Sequence, residues 1–144
     1  MKKKNYINLA KKSANIQINE LKKIHKVFNN SFVDAIDLIM NCKGKVMFSG
    51  VGKNSFICKK AASTFSSVGI PSFYVDPTGV SHGDAGQIDR KDILIIISNS
   101  GNTFELINLL KFANRFRIKI IGIASKSNSM LLKASDIKIL YPKI

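Results

Sequence analysis

The sequence has little of what marks an exported, disulfide-stapled or membrane-spanning chain. Two of its 144 residues are cysteine, Cys42 and Cys58. Isolated thiols in a chain with no secretory signal read as reduced and structural, which excludes a disulfide framework and a cysteine metal site. The opening Met1-Lys2-Lys3-Lys4 is basic, but Asn5, Asn8, Lys11 and Lys12 interrupt the adjoining stretch, so no secretory apolar segment forms. The longest uninterrupted apolar run is Ile93 to Ile97, far below the roughly 20 residues a membrane helix needs. A cytoplasmic location and no membrane partner are therefore expected.

Acidic residues are scarce as well. Nine of them against 23 lysines and arginines leave a net charge of +14, a balance that attracts polyanions. The basic residues are nevertheless dispersed along the whole chain, amid many Asn and Ile, and are seldom interleaved with aromatics as in a nucleic-acid platform. A solvated basic surface is expected, with no nucleic-acid partner.

What is present is ordinary globular composition, 45% hydrophobic and 22% charged, in a length that suits a single domain over residues 1–144. Ile7, Ala10, Ala14, Ile18, Leu21, Ile24 and Phe28 recur every three or four residues and predict one long amphipathic N-terminal helix that must lie against something. Ser31 and Asp34 resemble a capping box opening a second helix with Phe32, Ile36, Ile39 and Met40, stopped by Gly44. From there strand and helix alternate. Strands are predicted at Lys45 to Ser49, Pro71 to Val75, Ile93 to Ile97, Ile118 to Ile123 and Ile137 to Leu140. Helices are predicted at Lys53 to Val68, at about Thr103 to Phe116, and briefly around Leu131 and Leu132. Ile93 to Ile97 lacks any alternation, as suits a strand buried on both faces. The pattern predicts an α/β fold: a doubly wound, mostly parallel five-stranded sheet in three layers, with sites at the strand C-termini. No further helix follows the fifth strand, so the chain is expected either to be cut short at its C-terminus or to borrow cover from a partner.

Ser98-Asn99-Ser100-Gly101-Asn102-Thr103 falls where a buried strand turns into a helix. Hydroxyls and free N–H groups at the positive end of a helix dipole make a phosphate cradle. Glu105 follows Asn102 by three residues, so it reads either as a capping carboxylate or as a general base held at the helix mouth. Gly50-Val51-Gly52-Lys53-Asn54 opens the first crossover helix. It is no Walker motif, because Met47 and Asn54 occupy required Gly and Ser/Thr positions. As a dinucleotide fingerprint it is poor, with Ser55 for the third glycine, although Asp76 falls near the distance of a ribose-binding acid. Ser81-His82-Gly83-Asp84 lies in a long connection, where a histidine can act as acid or base near neutral pH. His25 reads as structural.

Taken together, Cys42-Lys43-Gly44-Lys45-Val46, Gly50-Val51-Gly52-Lys53, Gly69-Ile70-Pro71-Ser72-Phe73, Ser81-His82-Gly83-Asp84 and Ile97-Ser98-Asn99-Ser100-Gly101 resemble, in order and spacing, the sugar isomerase (SIS) domain family, and within it the D-arabinose 5-phosphate isomerases. The resemblance implies interconversion of D-arabinose 5-phosphate and D-ribulose 5-phosphate through an enediolate, serving synthesis of the octulosonate sugar of lipopolysaccharide. It implies catalytic roles for Lys53, His82 and Glu105, and phosphate contacts from Ser98, Asn99, Ser100, Thr103, Asn54 and Gly52. It implies no metal or organic cofactor, and a homo-oligomer, dimer or tetramer. Asn54 and Ser55 depart from the family's serine and glycine, although an Asn amide can still donate. The family's later histidine, covering helices and paired regulatory domains have no counterpart among these 144 residues, which leaves a non-catalytic sugar-phosphate-binding module as the alternative.

Overall fold

The computed structural model describes residues 3–143; the first two residues of the basic opening, Met1 and Lys2, and the last residue, Ile144, lie outside them. Five strands form one sheet in the order β2-β1-β3-β4-β5: β1 (Val46–Ser49), β2 (Ser72–Tyr74), β3 (Ile93–Ile97), β4 (Lys119–Ala124) and β5 (Ile137–Leu140). Every pairing is parallel, so the expected "mostly parallel" sheet is parallel throughout. The helices are α1 (Lys3–Lys22), α2 (Asn30–Met40), α3 (Lys53–Ser67), α4 (Ile107–Phe116) and α5 (Met130–Ala134).

Strand side chains alternate between two cores. Val46, Phe48, Ile93, Ile95, Ile121 and Ile139 pack with Ala35 of α2 and Cys58 and Ala62 of α3. Met47, Leu94, Ile96 and Ile120 pack with Leu109, Leu110 and Ala113 of α4 and Leu131 and Leu132 of α5. Burial on both faces is why β3 needs no polar alternation. The connection from β2 to β3 carries no α-helix. Two short 3-10 segments, Gly79–His82 and Asp84–Gln87, take that place, and Val80 and Ile88 fill the second core where a crossover helix would lie.

Three local readings are corrected. The second helix is capped by Asn29, whose side chain accepts the Ser31 N–H at 2.9 Å, and not by a Ser31 box. An Asx side chain two residues earlier reaches the orphan donors equally well. The fifth strand is not bare, since α2 and α5 both pack against β5. The N-terminal stripe does not stay in one α-helix: α1 ends at Lys22 and the chain tightens into a 3-10 segment, Lys23–Val27. Of this region Val27 is buried, whereas Ile7, Ile18, Leu21, Ile24 and Phe28 are exposed.

Candidate functional site

In a doubly wound sheet, loops leaving neighbouring strands in opposite directions open a crevice at the strand C-termini. Here that switch lies between β1 and β3, whose following helices, α3 and α4, sit on opposite faces. The loop after β1 is the glycine turn. Gly50 passes so close to β3 that a Cβ there would lie 3.0 Å from the Ile97 carbonyl oxygen and 3.1 Å from Cys58 Sγ. Tyr74 Oη donates to the Gly50 carbonyl at 2.9 Å, and Gly52 adopts φ 60, open only at low cost to glycine. The Gly52 carbonyl accepts from the Ser55 hydroxyl at 2.7 Å. Ser55 therefore braces the turn from the position that a third glycine would occupy in a dinucleotide fingerprint. Lys53 opens α3 with its side chain exposed, next to half-buried Asn54. Beneath them, burial pushes the Cys58 thiol up to about 11, which keeps it protonated at neutral pH.

The loop after β3 is braced from within. Ser98 is 2% exposed; its Oγ lies 2.7 Å from Thr103 Oγ1 and accepts the Gly101 N–H at 3.1 Å. Gly101 sits at φ 65, and a Cβ there would collide with the Ser129 side chain. The Ser100 hydroxyl accepts the Asn102 N–H at 3.2 Å. Asn99 is held by distant partners: its carbonyl accepts the Ser125 hydroxyl at 2.8 Å and its Oδ1 accepts Tyr141 Oη at 2.8 Å. Burial raises the Tyr141 phenol above its ordinary value, so it stays a donor there. Ser98 and Asn99 thus shape the loop, leaving Ser100, Thr103 and the backbone as its half-open face.

Asn102 does not cap its own helix. Its Oδ1 accepts the Met130 N–H at 2.8 Å, holding the start of α5. The helix after the loop begins as a 3-10 turn, Phe104–Leu106, behind Thr103, which makes no side-chain cap. Glu105 has no hydrogen-bond partner among the described residues and stands exposed, so the capping reading of this carboxylate is overturned. It faces a cleft of about 370 Å³ that it shares with Thr78, Ser81, Phe104, Asn108 and Lys111. Exposed His82 ends the 3-10 segment containing Ser81, just before Gly83 at φ 108. Lys53, His82 and Glu105 therefore follow β1, β2 and β3, three adjacent strands, and share one edge of the sheet. Asp76, which is held low first by the Thr78 N–H and then by the Thr78 hydroxyl, is engaged in its own loop turn. His25 packs edge-to-face on Phe28 in the N-terminal region.

Sequence reasoning missed one residue. Ser49 is fully buried at the end of β1, and its hydroxyl has no partner; by strand alternation it shares the α4-facing side with Met47. A serine closing an otherwise apolar strand is the signal that points to it. Among the described residues no group of three or more His, Cys, Asp or Glu side chains converges as metal ligands would, and no helix is long and apolar enough to cross a membrane.

An all-parallel 2-1-3-4-5 sheet with a braced, hydroxyl-rich loop at its switch point defines a doubly wound α/β domain of the kind that takes ligands over the strand C-termini. The chain belongs to the SIS domain family, whose model matches residues 38–143. It is 40% identical over 128 residues to the arabinose 5-phosphate isomerase KpsF of Escherichia coli, covering 89% of this chain and 38% of that protein. It is 37% identical over 139 residues to an uncharacterized protein of Rickettsia prowazekii, covering 96% of this chain and 44% of the other. Among solved structures, an E. coli CFT073 protein in complex with arabinose 5-phosphate superposes with a TM-score of 0.87 at 35% identity, over 100% of this chain and 77% of that one. The chain thus spans less than half the length of the curated relatives it matches.

Proposed function

We propose that this chain is the sugar-phosphate-binding part of an aldose–ketose isomerase that interconverts D-arabinose 5-phosphate and D-ribulose 5-phosphate in the cytoplasm. The observation carrying the reading is the meeting, at one sheet edge, of a rigid hydroxyl loop suited to a phosphate dianion and an unpaired carboxylate in an adjoining cleft. Relatives with arabinose 5-phosphate isomerase names support the choice of substrate.

In this mechanism the phosphate rests on Ser100, Thr103 and the loop amides, with Asn54 and Gly52 across the crevice. The Glu105 carboxylate takes the proton from C2 of the aldose. The C–H electron pair forms the C1–C2 double bond, and the carbonyl oxygen becomes an enediolate oxygen. Lys53 stabilises that negative charge, and His82 moves the proton between the two oxygens. Return of the proton to C1 gives the ketose. Water exclusion is incomplete in an open cleft, which suits a site that neighbouring protein segments complete.

The test is a titration with inorganic phosphate and arabinose 5-phosphate, paired with a turnover assay. Ser100→Ala is expected to weaken both ligands about tenfold, the scale of one hydrogen bond to a charged group; unchanged curves would refute the placement. A second reading, a non-catalytic sugar-phosphate module, is favoured by the cleft at Glu105 being lined by neither Lys53 nor His82. Tight binding without turnover would establish that one.

The same reading includes a homo-oligomer. Ile7, Ala10, Ala14, Ile18 and Leu21 fall on one stripe of α1, and all five are exposed. A contiguous apolar face of that length is rarely left open on a monomer. It continues into an apolar groove where Leu21, Ile24 and Val27 meet Ile123, Ile139 and Tyr141. The double variant Leu21→Lys, Ile24→Lys is expected to lower the assembly state in sedimentation. A monodisperse monomer of the unmodified chain at high concentration would sink the idea.

A further inference from the structure

We propose that Asn108 is a positioning residue that holds the loop carrying His82 against the first turn of α4, which directly follows the 3-10 turn containing Glu105. The proposal rests on the isomerase reading for its role in turnover. Asn108 Nδ2 donates to Ser81 Oγ at 2.7 Å. Among the described residues this is the only side-chain hydrogen bond joining residues 77–87 to another element. Ser81 immediately precedes His82, and Asn108 follows Glu105 by three residues, one turn along the same helix face. A single bond therefore ties the residue before His82 to a residue one turn beyond Glu105, the two groups that must act on one substrate.

The need for such a clamp comes from how the loop is built. The β2–β3 connection lacks the regular helix that would fix it, and its anchor beneath the cleft is Val80, 8% exposed, in the same core as Leu106 and Leu109. Val80 sets the depth of the turn, with Ile88 entering the same core at the far end of the connection. Among the described residues, no side-chain hydrogen bond to another element other than Asn108–Ser81 opposes rotation of the 3-10 turn about that apolar anchor. The neighbouring Gly83 at φ 108 places a permissive joint directly after His82. The Asn108–Ser81 bond restrains that rotation and so sets where the imidazole stands relative to the carboxylate. Proton transfers are sensitive to such placement, since displacements of about 1 Å can cost up to 10²-fold in rate.

The test uses Asn108→Leu, which keeps the side-chain volume and removes the donor, together with Ser81→Ala and the pair. Each single variant is expected to speed amide hydrogen exchange at residues 81–83. Each should also lower kcat for arabinose 5-phosphate roughly fivefold, the scale of one neutral hydrogen bond, with KM little changed. The pair should be no worse than either single. Asn108→Asp should restore the exchange protection, because the Ser81 hydroxyl can turn to donate to the carboxylate. Unchanged exchange at residues 81–83 in both singles, or losses that simply add in the pair, would overturn the proposal. Should the unmodified chain turn over no pentose phosphate, the isomerase reading fails on its own. The clamp then stands or falls on the exchange pattern and on whether arabinose 5-phosphate shifts the His82 imidazole resonance equally in Asn108→Leu and the unmodified chain, equality counting against it.

Discussion

The Glu105→Gln variant is expected to lose isomerisation by roughly 10²–10⁴-fold, the range a positioned general base contributes, while its affinity for inorganic phosphate stays unchanged. Glutamine keeps the shape and the carbonyl acceptor but cannot take a proton, so the variant separates chemistry from binding. The geometry makes the separation clean. Glu105 braces nothing: it accepts no hydrogen bond among the described residues, it is exposed, and the cap to which it could have belonged is spent on Met130. Removing its charge therefore leaves the loop Ser98 to Thr103 intact. A loss of that size corresponds to about 3–5 kcal/mol of transition-state stabilisation, too large for a surface charge acting at a distance. Paired titrations and initial rates check it, and a variant that keeps full turnover would remove Glu105 from the mechanism.

Parts of this site are legible in the sequence because they depend on local chemistry. A glycine-bearing run between an unalternating apolar strand and an amphipathic helix has few folds available, and β3 and β5 fall where the runs Ile93 to Ile97 and Ile137 to Leu140 place them. Residues Lys53, His82 and Glu105 come to one edge as soon as the strands are read as parallel. What stays hidden is non-local. Asn102 sits 28 positions from the backbone group it holds, and Asn99 sits 42 positions from Tyr141. A capping pattern such as Asn102 with Glu105 cannot reveal that its Asn is committed elsewhere. The stripe from Ile7 to Phe28 announces an apolar face correctly, but periodicity carries no information about which surface covers it. The 3-10 turn at Phe104–Leu106 escapes because spacings of three and four are both compatible with the same apolar pattern.

The Ile95→Asp variant is expected to abolish soluble expression. β3 is the middle strand of five, and Ile95 is 5% exposed in the core shared by Phe48, Ile121 and the α2–α3 layer. The substitution removes the roughly 1.5–3 kcal/mol that burying an isoleucine contributes. It also leaves a carboxylate without a partner there, at a further cost of several kcal/mol. Against a total stability of about 5–15 kcal/mol for a domain of ordinary size, the folded state loses most of its margin. Protonating the carboxyl would relieve only part of this, because a neutral acid still needs partners, and the core residues around Ile95 are apolar. Ile95→Val, which removes one methylene, costs only about 0.5–1.5 kcal/mol and should remain soluble, with phosphate binding retained. Comparing soluble yield and thermal unfolding of the two variants tests the position of the sheet itself. A well-folded aspartate variant would mean that residue 95 faces solvent and that β3 does not lie at the centre.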